Sequence, residues 1–238
     1  MDREYVTVDA SNGRWRGQVY VNGASRGPSP HSTSDYIIYR SSDGGRSFAG
    51  PGRRAAFGSV QAAAMGNAVV SSSGTVVGVH AQLPAPDTAN RDASIHAVWS
   101  TNGGASIEGA SRIDGYLAGG ERKGAVAGIA NSEPSLAIDA TNGRFRDRLY
   151  VAWPDRRTGR SQILVSWSSD EGRTWAPPRA IDDSPAGDRT DSFMPQVAVN
   201  RDGVVGLTWY DRRDRPDNLG WDVRFAASVD GGLTFGES

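Results

Sequence analysis

Short apolar segments, rich in β-branched and aromatic residues, alternate with Gly, Asn, Asp and Pro along the whole chain. Such segments are typical of β-strands, whereas an amphipathic helix needs a longer apolar stripe with a period of about 3.6 residues. Four similar groups of strands are predicted, and the first two begin near Tyr5 and Ala68. The last two groups have strands at 135–138, 149–153, 163–167 and 174–181, and at 196–199, 204–210 and 223–227. The chain is therefore predicted to be all-β, with strands A to D in each group.

An eight-residue pattern, Ser-x-Asp-x-Gly-x-Ser/Thr-aromatic, recurs where the chain must reverse after strand C. Full copies begin at Ser41, Ser168 and Ser228, and a weaker copy, with Asn102 in place of Asp, begins at Ser100. The first residues of the four copies are 59, 68 and 60 positions apart. Self-similarity of this kind indicates a repeat architecture in which each copy marks one unit.

The residue types of this octapeptide suit a turn. The Asp carboxylate and Ser hydroxyl can accept backbone hydrogen bonds, the Gly can adopt positive φ, and the aromatic ring can pack beneath the turn. A calcium loop is not predicted, because the alternating acidic ligands and the distal Glu of an EF-hand are missing. We therefore assign a structural role, and no metal, to Ser41, Asp43, Gly45, Phe48, Ser100, Asn102, Gly104, Ser168, Asp170, Gly172, Trp175, Ser228, Asp230, Gly232 and Phe235.

A second repeat relates the two halves of the chain by sequence, since residues 8–16 match residues 138–146 at an offset of 130. Together with the octapeptides, it resembles the Asp-box, or BNR-repeat, proteins, of which the sialidases are best known. The resemblance covers about residues 5 to 236 and implies a β-propeller of four-stranded antiparallel blades. It implies a single domain, 1–238, with blades at about 5–57, 58–114, 134–182 and 192–238. It does not imply one activity, because in that family the Asp-box serves the fold and recurs in lectin-like, receptor and non-sialidase hydrolase members.

The blade count leaves three interpretations open. A sialidase propeller has six blades, whereas four repeats are visible here and the fourth lacks most of its outer strand. The chain is a fragment of a longer propeller, or it completes a ring with other copies, or it closes as a small propeller. An open propeller exposes strand edges and apolar faces, which favours missing sequence or self-association through open blade edges.

Candidate ligand-binding residues fall on the face opposite the octapeptides, where the B–C and D–A loops of up-and-down blades meet. Guanidinium groups beside carboxylates and aromatic rings are suited to binding sugars and anionic sugars. The substrate-binding candidates are Asp155, Arg156, Arg157, Tyr210, Asp211, Arg212, Arg213, Arg189 and Asp191. The same face is predicted to hold Arg26, His31, Asp87, Arg91, Asp92, Glu121, Arg122, Lys123, Asp182, Asp183 and Asp188.

A structural interpretation of the same residues stays open. Each Asp-Arg-Arg can form an ion pair within its own loop, and Trp153 and Trp209 can pack between blades. The histidines, His31, His80 and His96, lack the spacing of metal ligands.

For sialidases, the resemblance implies a Tyr nucleophile assisted by Glu, an Asp acid and three arginines that hold the substrate carboxylate. The Arg-Ile-Pro signature of the first arginine is absent, and the partly similar residues 111–114 lack the Pro. Tyr150 and Tyr210 lie in predicted strands without a neighbouring Glu. We therefore assign no catalytic residue.

Composition narrows the function further. The chain has 238 residues, 37% of them apolar, which suits one large all-β domain. Its 26 Lys and Arg against 27 Asp and Glu argue against nucleic-acid binding, and the absence of Cys excludes disulfides and thiol catalysis. The sequence contains no apolar run of about 18 residues that could span a membrane and no signal-peptide core after Met1.

These observations predict a sialidase-like, glycoside hydrolase-related propeller that acts on or binds glycans without a cofactor. The alternative is a noncatalytic module that binds carbohydrate or protein, and a third interpretation is a pure scaffold. In the first two, a glycan or glycoconjugate is the expected partner, and the full-length protein is expected to be secreted or at the cell surface.

Overall fold

The computed structural model describes residues 2–26, 34–55, 62–83, 92–117, 133–185, 187–215, 217 and 219–238. Sheet 1 contains β1 (Asp2–Val8), β2 (Val19–Arg26), β3 (Ser34–Ser41) and β4 (Ala49–Ala55). Sheet 2 contains β5 (Ala62–Val70), β6 (Val76–Leu83), β7 (Asp92–Ser100) and β8 (Gly109–Leu117). Sheet 3 contains β9 (Ser135–Ile138), β10 (Leu149–Asp155), β11 (Gln162–Ser168) and β12 (Arg179–Ala180), and sheet 4 contains β13 (Ser192–Val199), β14 (Val205–Asp211) and β15 (Asp222–Ser228).

Consecutive strands are neighbours in every sheet and run antiparallel, as the alternation of strand-like segments and turns predicts. The described residues form no helix, and so none that is long and apolar enough to cross a membrane. The all-β class is therefore confirmed for these residues.

Two of the predicted strands whose bounds differ from the structure contain or adjoin prolines. The strand predicted at 174–181 is reduced to the two residues of β12, since Pro177 and Pro178 carry no N–H to donate to β11. Strand β13 begins at Ser192 rather than at residue 196, and Pro195 lies within an irregularity of its pairing with β14. Met194 has a φ of 50° at this irregularity.

Three apolar cores lie between consecutive sheets. Tyr36 packs with Met65 between sheets 1 and 2, Trp153 packs with Val79 between sheets 2 and 3, and Trp209 packs with Tyr150 between sheets 3 and 4. The first strands of consecutive sheets also contact each other, β1 with β5, β5 with β9, and β9 with β13. The sheets therefore pack face to face in chain order, with their first strands along one inner side.

The octapeptides form turns that follow the third strand of each sheet. In the last copy, the Ser228 hydroxyl donates to Asp230 at 2.8 Å, and the Asp230 carboxylate accepts from the backbone N–H of Thr234 at 2.9 Å. The Thr234 hydroxyl donates to the same carboxylate at 2.6 Å, which lowers the pKa of Asp230 to about 2. Gly232 adopts a φ of 84°, so the turn uses each residue type of the pattern.

Candidate functional site

The two Asp-Arg-Arg motifs follow the second strands of sheets 3 and 4 and adopt the same local structure. The Asp155 carboxylate accepts from the backbone N–H and Nε of Arg157 at 2.8 and 2.9 Å. The Asp211 carboxylate accepts from the same two groups of Arg213 at 2.8 and 3.0 Å. Both carboxylates are buried, with side chains 1% exposed, so each needs its arginine as a counter-charge.

Each of these arginines also reaches the preceding sheet. Arg157 Nη2 lies 2.6 Å from Asp114 in β8, and Arg213 Nη1 lies 2.7 Å from Asp183, which follows β12. Hydrogen bonds to Asp155 and Asp114 raise the pKa of Arg157. The first and third residues of the motif therefore fasten neighbouring sheets together, which matches the structural interpretation of the pattern.

The middle arginines have different surroundings. Arg156 Nη2 lies 3.9 Å from Asp191, whereas the Arg212 guanidinium lies over the ring of Phe193 at 4.9 Å. Tyr210 contacts the same Phe193 ring, with centroids 5.6 Å apart. The structure therefore brings Arg156 to Asp191, and it brings Arg212 and Tyr210 to the same Phe193 ring.

An open cleft of about 540 Å³ lies between the B–C loop and the D–A loop of sheet 3. Its walls carry two guanidinium groups, one carboxylate, an amide and two hydroxyls. The lining residues are Thr158, Gly159, Arg160, Gln162, Ser184, Pro185, Gly187, Asp188 and Arg189. Of the substrate-binding candidates, Arg189 lies in this wall.

The floor of the cleft is organised by a buried ion pair. Arg160 Nη1 lies 2.6 Å from Asp182, whose side chain is fully covered. Burial raises the pKa of Asp182, although the nearby Arg160 opposes that shift. Asp191 accepts from the backbone N–H of Ser161 at 2.9 Å and so ties the D–A loop to the B–C loop.

The carboxylate in the cleft wall stays ionised. Burial favours the neutral form of Asp188, but hydrogen bonds from the backbone and hydroxyl of Thr190 outweigh it and lower the pKa of Asp188. The Thr158 hydroxyl donates to the side-chain oxygen Oε1 of Gln162 at 2.7 Å, which orients the side-chain amide. The cleft therefore offers the Asp188 carboxylate, two guanidinium groups, an amide and hydroxyl groups for hydrogen bonding.

Thr158, Arg160 and Gln162 were not among the predicted site residues. They lie one to five residues after the Asp-Arg-Arg motif, the first two in the B–C loop and Gln162 at the start of β11. What the sequence lacks is a sign that the D–A loop folds over the B–C loop, which depends on contacts such as Asp191 with Ser161.

The other positions predicted on this face lie at strand ends or outside the described residues. Arg26 ends β2 and Asp92 begins β7, while six other candidates lie outside the described residues, namely His31, Asp87, Arg91, Glu121, Arg122 and Lys123. His80 and His96 stack on each other with centroids 5.6 Å apart. Within the described ranges, no group of three or more His, Asp or Glu side chains could hold a metal ion.

Several solved structures with a similar fold are carbohydrate-active proteins. An α-L-arabinanase from Penicillium chrysogenum complexed with arabinobiose has a TM-score of 0.63 at 17% identity, over 90% of this chain and 60% of its own. The fold is that of a β-propeller. A leech intramolecular trans-sialidase has a TM-score of 0.58 at 17% identity, over 96% of this chain and 31% of its own.

The NanB sialidase from Streptococcus pneumoniae has a TM-score of 0.55 at 13% identity, over 92% of this chain and 29% of its own. The β-propeller chain described here thus spans no more than 60% of the length of these three proteins. It matches no protein-family model and no curated protein.

Proposed function

We propose that this β-propeller binds glycans in the cleft between the B–C and D–A loops of sheet 3. The observation that carries the proposal is the cleft itself, because one open space collects Arg160, Arg189, Asp188 and Gln162. Its volume of about 540 Å³ lies within the range of about 300–1,000 Å³ that is usual for small-molecule sites.

The chemistry of the wall suits a sugar with vicinal hydroxyl groups. The planar guanidinium of Arg189 presents parallel N–H donors, which pair with two neighbouring oxygens. The ionised Asp188 accepts hydrogen bonds from sugar hydroxyls, and Gln162 can do both. The arabinanase and the trans-sialidase, which share the fold, support a glycan as the ligand.

Binding is favoured over hydrolysis by the state of the two carboxyl groups near the cleft. A glycosidase of the usual kind needs one protonated carboxyl group and one carboxylate, both in contact with the substrate. Asp182 is the group with the raised pKa, but its side chain is fully covered, and the accessible Asp188 has a lowered pKa. We therefore propose the noncatalytic interpretation.

The wider assignment follows from the same proposal. We propose that residues 1–238 form one sialidase-like domain with Asp-box blades, and that the full-length protein is secreted or at the cell surface, where glycans are displayed.

The experiment combines a glycan array with calorimetric titration of arabinobiose and 3′-sialyllactose. Glycans bound on the array are titrated too. We expect Arg189→Ala and Gln162→Ala each to weaken binding about tenfold, which corresponds to about 1.4 kcal/mol. Arg201→Ala is the matched control, because Arg201 is 94% exposed on the octapeptide face and should leave affinity unchanged.

Aryl glycosides, including a fluorescent sialoside, separate binding from hydrolysis. Release of the aryl group by the protein, with loss of release in Arg189→Ala, would replace the binding proposal with an enzymatic one. An array without binding, or full affinity in Arg189→Ala, would show that this cleft is not the glycan site.

A further inference from the structure

The octapeptide turn of one sheet packs on the A–B loop of the preceding sheet. A Cβ atom added at Gly103 in sheet 2 would lie 2.7 Å from the ring of Trp15, in the A–B loop of sheet 1. The same atom added at Gly231 in sheet 4 would lie 2.7 Å from the ring of Phe145 in sheet 3. In both cases the fourth octapeptide residue is Gly because an aromatic ring occupies the adjacent space.

The pattern changes where the preceding A–B loop is short. The loops of sheets 1 and 3 span 9–18 and 139–148, whereas the loop of sheet 2 spans only 71–75 and holds no aromatic residue. The turn of sheet 3, which packs on this short loop, has Glu171 in place of Gly. Its carboxylate accepts from the hydroxyls of Ser71 and Ser73 at 2.8 and 2.5 Å and so fills the space.

A residue in the A–B loop also depends on the length of the A–B loop in the preceding sheet. Asp147, in the long loop of sheet 3, accepts from the backbone N–H and hydroxyl of Ser72 in the short loop of sheet 2 at 2.7 and 2.5 Å. It does so with a φ of 62°, which is strained for a residue other than glycine. The equivalent residue of sheet 1 is Gly17, and a Cβ added there would meet nothing within 4 Å.

In sheet 1, the corresponding octapeptide and A–B loop positions lie on a face that no described sheet covers. The fourth residue of its octapeptide is Gly44, where an added Cβ would approach only the Arg46 side chain, at 4.0 Å. Phe48, next to β4, is 45% exposed, and Val6 and Val8 in β1 are 67% and 51% exposed. The equivalent octapeptide residues of the other sheets, Ile107, Trp175 and Phe235, all pack in the cores between sheets.

We propose that this face of sheet 1 binds one additional Asp-box sheet, whose A–B loop is of the long kind and carries an aromatic ring. The three interfaces within the chain supply the rule: a Gly pair in the turn follows a long aromatic loop, and Glu follows a short serine loop. Gly44 matches the first kind, and Gly17 lacks the carboxylate with which Asp147 binds the short loop.

The rule also states what does not fit this face. The A–B loop of sheet 4 is short, spanning 200–204 without an aromatic residue. Sheet 4 would therefore leave the space over Gly44 unfilled, whether it came from the same chain in a closed ring or from a second copy joined head to tail.

The test extends the full chain by one sheet. A copy of residues 133–191, which includes the long loop with Phe145, is placed ahead of residue 2, so that its own D–A loop leads into β1. The control extension is a copy of residues 62–134, which has the short serine loop. We expect the long-loop extension to raise the midpoint of thermal unfolding by at least about 3 °C over the control extension.

Two substitutions make the test specific. Phe145→Ser in the added copy alone should abolish most of the rise. Gly44→Glu should lower the midpoint more in the extended chain than in the unextended chain, since Glu171 shows that the turn accepts Glu at this position. An equal rise with both extensions, or an equal effect of Gly44→Glu in both chains, would overturn the proposal.

The mass of the unextended chain is measured by light scattering at the same time. We expect a monomer, in which the face of sheet 1 that carries Phe48 stays uncovered. A dimer that Phe48→Ser dissociates would make a second copy the occupant and would also overturn the proposal.

Discussion

Gly231→Ala should destabilise the protein far more than the same change at Gly44. Both glycines are the fourth residue of an octapeptide and both have a φ of 73°. Each alanine would therefore adopt a left-handed backbone conformation, which lowers the free energy of unfolding by about 1 kcal/mol. At Gly231 the new methyl group would also lie 2.7 Å from three ring atoms of Phe145, whereas at Gly44 the nearest atom is 4.0 Å away.

The extra loss at Gly231 follows from overpacking, which costs about 1–3 kcal/mol when neighbours cannot move freely. The Phe145 ring is held by the guanidinium of Arg148, 4.4 Å from its centroid, so a shift of the ring breaks that contact. We expect a total loss of about 3 kcal/mol for Gly231→Ala and about 1 kcal/mol for Gly44→Ala.

Urea unfolding of the unextended chain, followed by circular dichroism and tryptophan fluorescence, measures both losses. In a Phe145→Ala background, Gly231→Ala should cost no more than Gly44→Ala, because the clash has been removed. If the two glycine variants lose the same free energy of unfolding, the packing of octapeptide turns on the preceding loop does not determine which residue stands there.

Three further predictions concern single side chains. Burial lowers the pKa of His96 to about 4, whereas the unfolded chain binds this proton near pH 6.5. Protonation of His96 should therefore lower the free energy of unfolding by roughly 3 kcal/mol between pH 7 and pH 4. Urea unfolding at several pH values measures this loss, and His96→Gln should remove it. Arg213→Met leaves the buried carboxylate of Asp211 without its cation and should cost about 3 kcal/mol in urea unfolding, whereas Arg201→Met at an exposed site should change stability by less than about 0.5 kcal/mol. Asn102→Asp restores the carboxylate acceptor of the other three octapeptides and should raise the free energy of unfolding by roughly 1 kcal/mol at pH 7, with the gain absent near pH 2.

Periodicity predicted strands such as β14 well, because one face of the strand lies in a core and turn residues bound it. In β14 buried and partly exposed residues alternate from Val205 to Asp211, and this alternation is visible in the sequence. The short β12 was not predicted at its true length, since the apolar residues around it suggested a full strand while the two prolines before it removed the donors.

The candidate site was predicted less well, because its residues come together only through the tertiary fold. The Asp-Arg-Arg motifs are conspicuous in the sequence, yet Arg157 and Arg213 are committed to buried carboxylates and to the preceding sheet. Arg160 is inconspicuous, but its ion pair with Asp182 supports the cleft. A local pattern shows which charges are present, whereas only the path of the D–A loop shows which of them face the cleft.

The contacts at both ends of the interface between sheets 3 and 4 affect local unfolding of these two sheets. At one end Gly231 lies on Phe145, at the other Arg213 holds Asp183, and Trp209 fills the space between them. A local fluctuation that releases one end leaves the other intact, so the two sheets should exchange their core amide protons at a common rate, as one cooperative unit. Slow, concerted exchange across β10 and β14 is the behaviour expected of neighbours that cannot unfold separately.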